Sequence, residues 1–152
     1  MGQGDYRQGQ GRQRPIYKSR GEQQIGEFLS QNRIPFIYEK PTAVMDRGLL
    51  RLNYPDFSLQ YGPLIEYFGI NGDQHYIEQA RHKLKVYREN QYDVIPVYPP
   101  DMCNGWQDGL LERIGWTLER RLMDFRNGQR QDEKVPLRTR HDFDSSSTSS
   151  GD

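Results

Sequence analysis

Two short apolar runs each contain one carboxylate, and they restrict the fold more than any other part of the chain. They are Tyr-Pro-Asp-Phe at 54–57 and Ile-Glu-Tyr-Phe-Gly at 65–69. An acid in such surroundings is costly to bury unless it is paired or binds a cation. The Gly62-Pro63 turn between the runs predicts a hairpin. Asp56 and Glu66 would then lie on adjacent strands and point at one spot. Two convergent carboxylates outline a divalent-metal site, because Mg²⁺ takes oxygen ligands and few of them from protein.

The two ends of the chain differ in composition from its middle. Only 34% of the 152 residues are hydrophobic, and the mean hydropathy is -1.00. Residues 1–18 are mostly Gly, Gln and Arg, and the last residues are mostly Ser and Asp, so neither end can bury a core. We therefore predict a flexible basic arm at 1–18, one folded domain at 19–126 and a polar, disordered tail at 127–152.

The N-terminal arm is basic, although the whole chain has no net charge. Its only acid is Asp5. A flexible basic segment suits the phosphate backbone of a nucleic acid. The residues predicted to contact phosphates are Arg7, Arg12, Arg14, Lys18 and Arg20. A solubilising segment without a ligand is the alternative for this arm.

The chain has one cysteine, Cys103, which excludes a disulfide within the chain. No apolar stretch approaches the roughly 20 residues that a membrane-spanning helix needs, and the N-terminus has no hydrophobic signal region. From these features we expect a reducing, cytoplasmic location and no membrane partner.

The spacing of the hydrophobic residues, together with the positions of Gly and Pro between them, predicts the element order αβββαβα. Ser19 to Glu22 has the form of a capping box before a helix that reaches Asn32. The predicted strands are 36–38, 50–56, 64–68 and 94–98, with 42–48 as a loop, and two more helices are predicted at 74–89 and after Trp106. Pro96 indicates that the last strand lies at an edge or contains a bulge. This order predicts an α/β fold with a central mixed four-stranded sheet flanked by helices.

Five motifs in this order resemble the PD-(D/E)xK nuclease superfamily. They are Ser-x-Gly-Glu at 19–22, Tyr-Glu-x-Pro at 38–41, Pro-Asp-Phe at 55–57, Ile-Glu-Tyr-Phe-Gly at 65–69, and a Tyr followed by Lys-x-x-x-Tyr at 83–87. The similarity spans about residues 17–112. The motifs especially resemble those of short very-short-patch-repair-like or helicase-associated nuclease domains. It implies a restriction-endonuclease-like fold in which Glu22, Asp56 and Glu66 form the catalytic site.

The sequence departs from the superfamily pattern at one position. The usual lysine stands two residues after the second acid, and Phe68 occupies that place. Either the lysine has moved or the site is altered. At 100° per residue, Lys83 and Lys85 of the predicted helix lie about 200° apart. Lys83 lies in line with Tyr76 and beside the predicted buried stripe, which is formed by Ile77, Ala80 and Leu84. Lys85 lies on the exposed side, so we predict Lys83 as the catalytic lysine.

The resemblance implies a role for each group in phosphodiester cleavage. Asp56, Glu66 and the carbonyl of Tyr67 would bind Mg²⁺, for which Mn²⁺ can substitute, and the ion would lower the pKa of the attacking water. Lys83 would orient or help to deprotonate that water, and Glu22 would complete the site directly or through water. The alternatives are purely structural: Glu22 fits the third helical position of a capping box, and Lys83 fits a solvated helix face.

These features together predict a Mg²⁺-dependent DNA endonuclease. One alternative is a catalytically inactive relative that serves as a DNA-binding or assembly module, with Phe68 in place of the lysine. A further alternative is a nuclease that cleaves RNA. DNA is the expected partner, together with a second copy of the chain or a DNA-processing protein.

Overall fold

A computed structural model describes residues 15–69 and 72–132, and side chains up to residue 128. Arg7, Arg12, Arg14 and the predicted tail from 133 onward lie outside the described residues. The chain divides into two compact units between Leu118 and Glu119. The first unit carries the sheet and the candidate site. In the second, the described residues continue the last helix.

The described residues form a mixed α/β structure with three long helices and six strands. In chain order the elements are α1 (Arg20–Gln31), β1 (Phe36–Tyr38), β2 (Thr42–Asp46), β3 (Leu49–Asn53), β4 (Phe57–Leu59), β5 (Leu64–Tyr67), α2 (Gln74–Glu89), β6 (Val94–Val97), a 3-10 turn (Pro99–Met102) and α3 (Trp106–Asp132). The predicted mixed four-stranded sheet is confirmed, with strand order β1-β4-β5-β6. None of the described helices combines the length and apolar character needed to cross a membrane.

The central hairpin is confirmed. β4 pairs antiparallel with β5, with Phe57 opposite Ile65 and Ser58 opposite Leu64. β1 pairs antiparallel with β4, and β5 pairs parallel with β6 through the α2 crossover. β6 lies at the sheet edge, as Pro96 predicted.

The prediction of a loop at 42–48 was wrong. Thr42–Asp46 is a strand that pairs with β3 as a separate two-stranded sheet. Arg47 and Gly48 have φ values of 51° and 76°, and two consecutive positive φ angles make the tight type I′ turn that suits a two-residue hairpin. The turn therefore depends on a strained arginine, which the sequence pattern does not reveal.

The single strand predicted at 50–56 was also wrong. β3 ends at Asn53 and β4 begins at Phe57, so Asp56 lies just before a strand. Pro55 lies between the two strands and has no N–H to donate to a ladder, which favours a break there. The last helix continues to Asp132, beyond the predicted domain boundary at 126.

Two apolar clusters hold the first unit together. The larger one joins α1, the four-stranded sheet and the start of α3, and includes Ile25, Leu29, Phe57, Ile65 and Ile114. The smaller one places Val44 of β2 against Leu64, Val86 and Tyr87. In α2 the buried residues are Leu84, Val86 and Tyr87, whereas Ile77 and Ala80 of the predicted stripe are half-buried.

Candidate active site

The β4–β5 hairpin places the two predicted acids opposite each other. Its register pairs Phe57 with Ile65. Extending that register by one residue places Asp56 opposite Glu66. Directly opposed residues of an antiparallel pair face the same side. Glu66 is 1% exposed, and Asp56 is half-buried. The two carboxylates therefore share one largely dry face of the sheet.

Asp56 is held by the backbone of the neighbouring strand. Its Oδ2 accepts a hydrogen bond from the Tyr67 N–H at 2.7 Å. The N–H and C=O of one strand residue point to the same edge, so the Tyr67 carbonyl also faces the edge on which Asp56 lies. The predicted use of that carbonyl as a metal ligand stays a prediction.

Both oxygens of Glu66 accept hydrogen bonds from α2. Lys83 Nζ donates to Oε2 at 2.7 Å, and the Tyr87 hydroxyl donates to Oε1 at 3.0 Å. The two donors are four residues apart, so they lie on one face of the helix. Tyr87 is fully buried, whereas the Lys83 side chain is 33% exposed. The ammonium group therefore lies between the buried carboxylate and solvent.

The two candidate lysines have different surroundings. Lys85 is 3.6 Å from Glu89, and both side chains are largely exposed. Lys83 alone of the two contacts the predicted acids, in agreement with the helical geometry. Phe68 is buried and its ring stacks on Tyr98 with a centroid distance of 5.6 Å. Phe68 is thus an apolar side chain that packs away from water.

Glu22 combines capping with a tyrosine contact. Ser19 caps α1 by accepting the Glu22 N–H at 3.1 Å, and its hydroxyl donates to Glu22 Oε1 at 2.8 Å. Oε2 accepts the Lys18 N–H at 3.2 Å and the Tyr38 hydroxyl. Glu22 is buried, with 7% exposure. The predicted Ser19 cap is thus present, but the backbone N–H that the Glu22 carboxylate accepts is that of Lys18, one residue before the N-cap. A catalytic role for Glu22 stays a prediction.

The environment disfavours charge on both central acids. Burial, and then the nearby charge of Glu66, raise the pKa of Asp56 to about 7. The charge of Glu22 also raises this pKa, whereas the hydrogen bond from the Tyr67 N–H lowers it. Burial raises the pKa of Glu66 as well, although Lys83 opposes this. Carboxylates that repel each other in a dry site favour a bound cation or a shared proton.

The oxygen donors of the site match what Mg²⁺ takes from a protein. Among residues 15–69 and 72–132, no three or more His, Cys, Asp and Glu side chains are placed as one metal-binding group. Mg²⁺ keeps several waters and is commonly bound through one or two carboxylates together with substrate phosphates. The opposed Asp56 and Glu66 fit that requirement, and Glu22 adds negative charge near Asp56.

The described part of the basic arm is engaged with the protein. Lys18 forms an ion pair with Glu39, and Arg20 is the exposed first residue of α1. The Lys18 side chain is 68% exposed even in this ion pair, and its predicted contact with phosphate stays a prediction. The other three predicted arginines lie outside the described residues.

Sequence reasoning missed the role of two tyrosines. Tyr38 donates to Glu22, and Tyr87 donates to Glu66. The four-residue spacing between Lys83 and Tyr87 placed them on one face, but the sequence did not show what that face contacts. Burial, and then the charge of Asp56, raise the pKa of the Tyr76 hydroxyl.

Comparison with known proteins identifies no relative. No family model, no curated protein and no solved structure matches this chain.

Proposed function

We propose that this protein is a Mg²⁺-dependent DNA endonuclease with a restriction-endonuclease-like fold. The observation that supports it best is the contact between Lys83 and Glu66 at 2.7 Å, opposite Asp56. It supplies the acid, acid and lysine combination of metal-dependent phosphodiester cleavage, with the lysine on a helix instead of the strand.

Asp56 and Glu66 would hold the ion, which would offset charge on the phosphate and lower the pKa of the attacking water. Water adds to phosphorus and one phosphorus–oxygen ester bond breaks, which leaves a phosphate monoester and a free hydroxyl. Lys83 orients the water and donates a hydrogen bond to the phosphate oxygens as negative charge develops there. Tyr87 keeps the Glu66 carboxylate in one orientation.

Glu22 lies further from this chemistry. Its charge raises the pKa of Asp56, so it strengthens the attraction of the site for a cation. It would complete the site directly or through water. The single exposed thiol, Cys103, fits a reducing compartment such as the cytoplasm.

A DNA-binding or assembly module without catalysis is the second candidate. It is favoured by the hydrogen bonds that occupy both Glu66 oxygens, because a buried acid in a purely structural ion pair needs such partners. The buried Phe68 in place of the usual lysine supports the same interpretation.

The test uses the purified chain with plasmid DNA, single-stranded DNA and RNA, each with Mg²⁺, with Mn²⁺ and with a chelator. Metal-dependent nicking of DNA that is lost in Asp56→Asn supports the endonuclease. Retention of DNA without cleavage supports the binding module instead. Cleavage of RNA alone would replace the DNA substrate by RNA.

A further inference from the structure

The β2–β3 hairpin has two edges with different surroundings. Asp46 and Leu49 close its two-residue turn, and ladder hydrogen bonds alternate from that closing pair. The backbone groups of Ala43 and Met45 therefore point away from β3, and those of Leu50 and Leu52 point away from β2. Each edge thus presents backbone donors and acceptors that need partners or water.

Side chains cover the β2 edge. The Met45 N–H donates to Asn90 Oδ1 at 2.7 Å, and Asn90 Nδ2 donates to the Met45 carbonyl at 2.9 Å. The Tyr92 hydroxyl donates to the Ala43 carbonyl at 3.1 Å. These bonds tie the hairpin to the end of α2 and leave no room for another strand on this side.

The β3 edge is open in the part of the chain that the structure describes, where β3 pairs with β2 alone. Leu50 and Leu52 are 74% and 58% exposed. Proteins usually protect such an edge with charges, Pro or a bulge. β3 contains no Pro or Gly, and its one charge, Arg51, lies on the opposite face from these leucines.

We infer that the β3 edge pairs antiparallel with β3 of a second copy of this chain. A register centred on Leu52 places it opposite its own counterpart, Leu50 opposite Tyr54, and Arg51 opposite Asn53. A register centred on Arg51 would oppose two like charges, which is unfavourable. This register maps onto itself under a two-fold rotation, as a closed symmetric dimer requires.

The pairing gives the exposed side chains a partner. Leu50 and Tyr54, which is 51% exposed, become cross-strand neighbours, and the outward backbone groups complete a ladder. The occupant must be an extended strand with apolar side chains on the same face, and β3 itself has that form. Because β3 continues through Pro55 into Asp56, the dimer also holds two carboxylate sites at a fixed separation.

The test measures the mass of the full chain by sedimentation equilibrium over a range of concentrations, and it does not depend on nuclease activity. We expect a dimer for the unchanged protein. Leu52→Lys and Leu52→Glu each place like charges opposite each other, and each should raise the dissociation constant roughly tenfold or more. Leu49→Lys is the matched control: Leu49 is also exposed, but its side chain lies on the other face, and it should still dimerise.

A mixture of the two Leu52 variants gives the sharpest result. The introduced lysine and glutamate are then opposite each other, so the mixture should form a heterodimer at a protein concentration at which each variant alone is mostly monomeric. Circular dichroism checks that both variants are folded, as expected for an exposed position. A monomeric unchanged protein, single variants that remain dimeric, or a mixture that stays monomeric would each overturn the proposal.

Discussion

Lys83 Nζ lies 2.7 Å from Glu66 Oε2, and Tyr87 from the same face of α2 donates to the other oxygen. One helix face thus neutralises and orients the most deeply buried acid of the sheet. Under the proposed nuclease function, Lys83 would take the role of the lysine that the resembled superfamily carries at the position of Phe68.

The proposed catalytic role of Lys83 can be tested by comparing alanine variants of Lys83 and Lys85, two lysines of the same helix. Lys83→Ala should lower turnover by about 10²–10⁴-fold, the range for a proton-transfer group. Lys85→Ala should change it little, because Lys85 contacts only exposed Glu89. Each variant replaces a helical lysine by alanine, so the change in helix propensity is the same. The two variants should therefore differ in stability only because Lys83→Ala removes a partner of Glu66. Single-turnover cleavage with Mg²⁺ measures the difference. Equal small effects in an active enzyme would remove Lys83 from the mechanism.

A lysine introduced at position 68 should not rescue the activity of the Lys83→Ala variant. Phe68 is 6% exposed and stacks on Tyr98, so Phe68→Lys would bury an ammonium group without a partner and destabilise the fold. We expect a lower denaturant midpoint for this variant. In the Lys83→Ala background, cleavage should stay at the level of the single variant, and recovered turnover would contradict this account of Phe68.

Asp56 should make the metal-free protein less stable as the pH rises. Its pKa is about 7 in the folded state and about 4 in an unfolded chain. Between these values the folded state binds more protons, so the free energy of unfolding falls with pH, by at most about 1.4 kcal/mol per pH unit. Asp56→Asn removes this contribution. Urea unfolding in the presence of a chelator, from pH 4 to 8, gives the free energy of unfolding of the unchanged protein and of Asp56→Asn. The two plots of this free energy against pH should have different slopes. Parallel plots would show that the Asp56 carboxyl is not desolvated.

Gly21 should resist a side chain because of Tyr67. A Cβ built there would lie 2.2 Å from the Tyr67 ring, so Gly21→Ala must tilt the ring, and we expect a loss of about 1 kcal/mol or more. At Gly115, inside α3, such a Cβ would have no atom within 4 Å apart from its chain neighbours and the nearby backbone of its own helix. Gly115→Ala should stabilise by about 0.5–1 kcal/mol, because alanine loses less backbone entropy in a helix. Opposite shifts in the urea midpoint support this, and equal shifts would not.

The arm can be tested by removing residues 1–14. If Arg7, Arg12 and Arg14 bind phosphates, the slope of log K against log salt should become less steep by about one for each phosphate that the shortened chain no longer neutralises. Lys18 is paired with Glu39, so Lys18→Ala in the full chain should change the slope much less. An unchanged slope after truncation would leave the arm as a solubilising segment.

Local patterns were sufficient for several elements. The Ser19 cap, the Gly62-Pro63 turn and the long amphipathic pattern at 74–89 correctly predicted α1, the β4–β5 hairpin and α2. Such features depend on residues close in the chain, because capping, turn geometry and helical period are local properties. The antiparallel register of that hairpin is also the reason that Asp56 and Glu66 could be placed together in advance.

The β2–β3 hairpin and the donors of Glu66 depend on contacts between distant parts of the chain. The strand at 42–46 forms because Val44 is buried against α2 and because Asn90 and Tyr92 satisfy its outer edge. Helical spacing put Lys83 and Tyr87 on one face, but only the parallel β5–α2–β6 crossover turns that face toward Glu66. Local propensity carries no information about which surface a helix will cover, because that depends on packing between elements far apart in the chain.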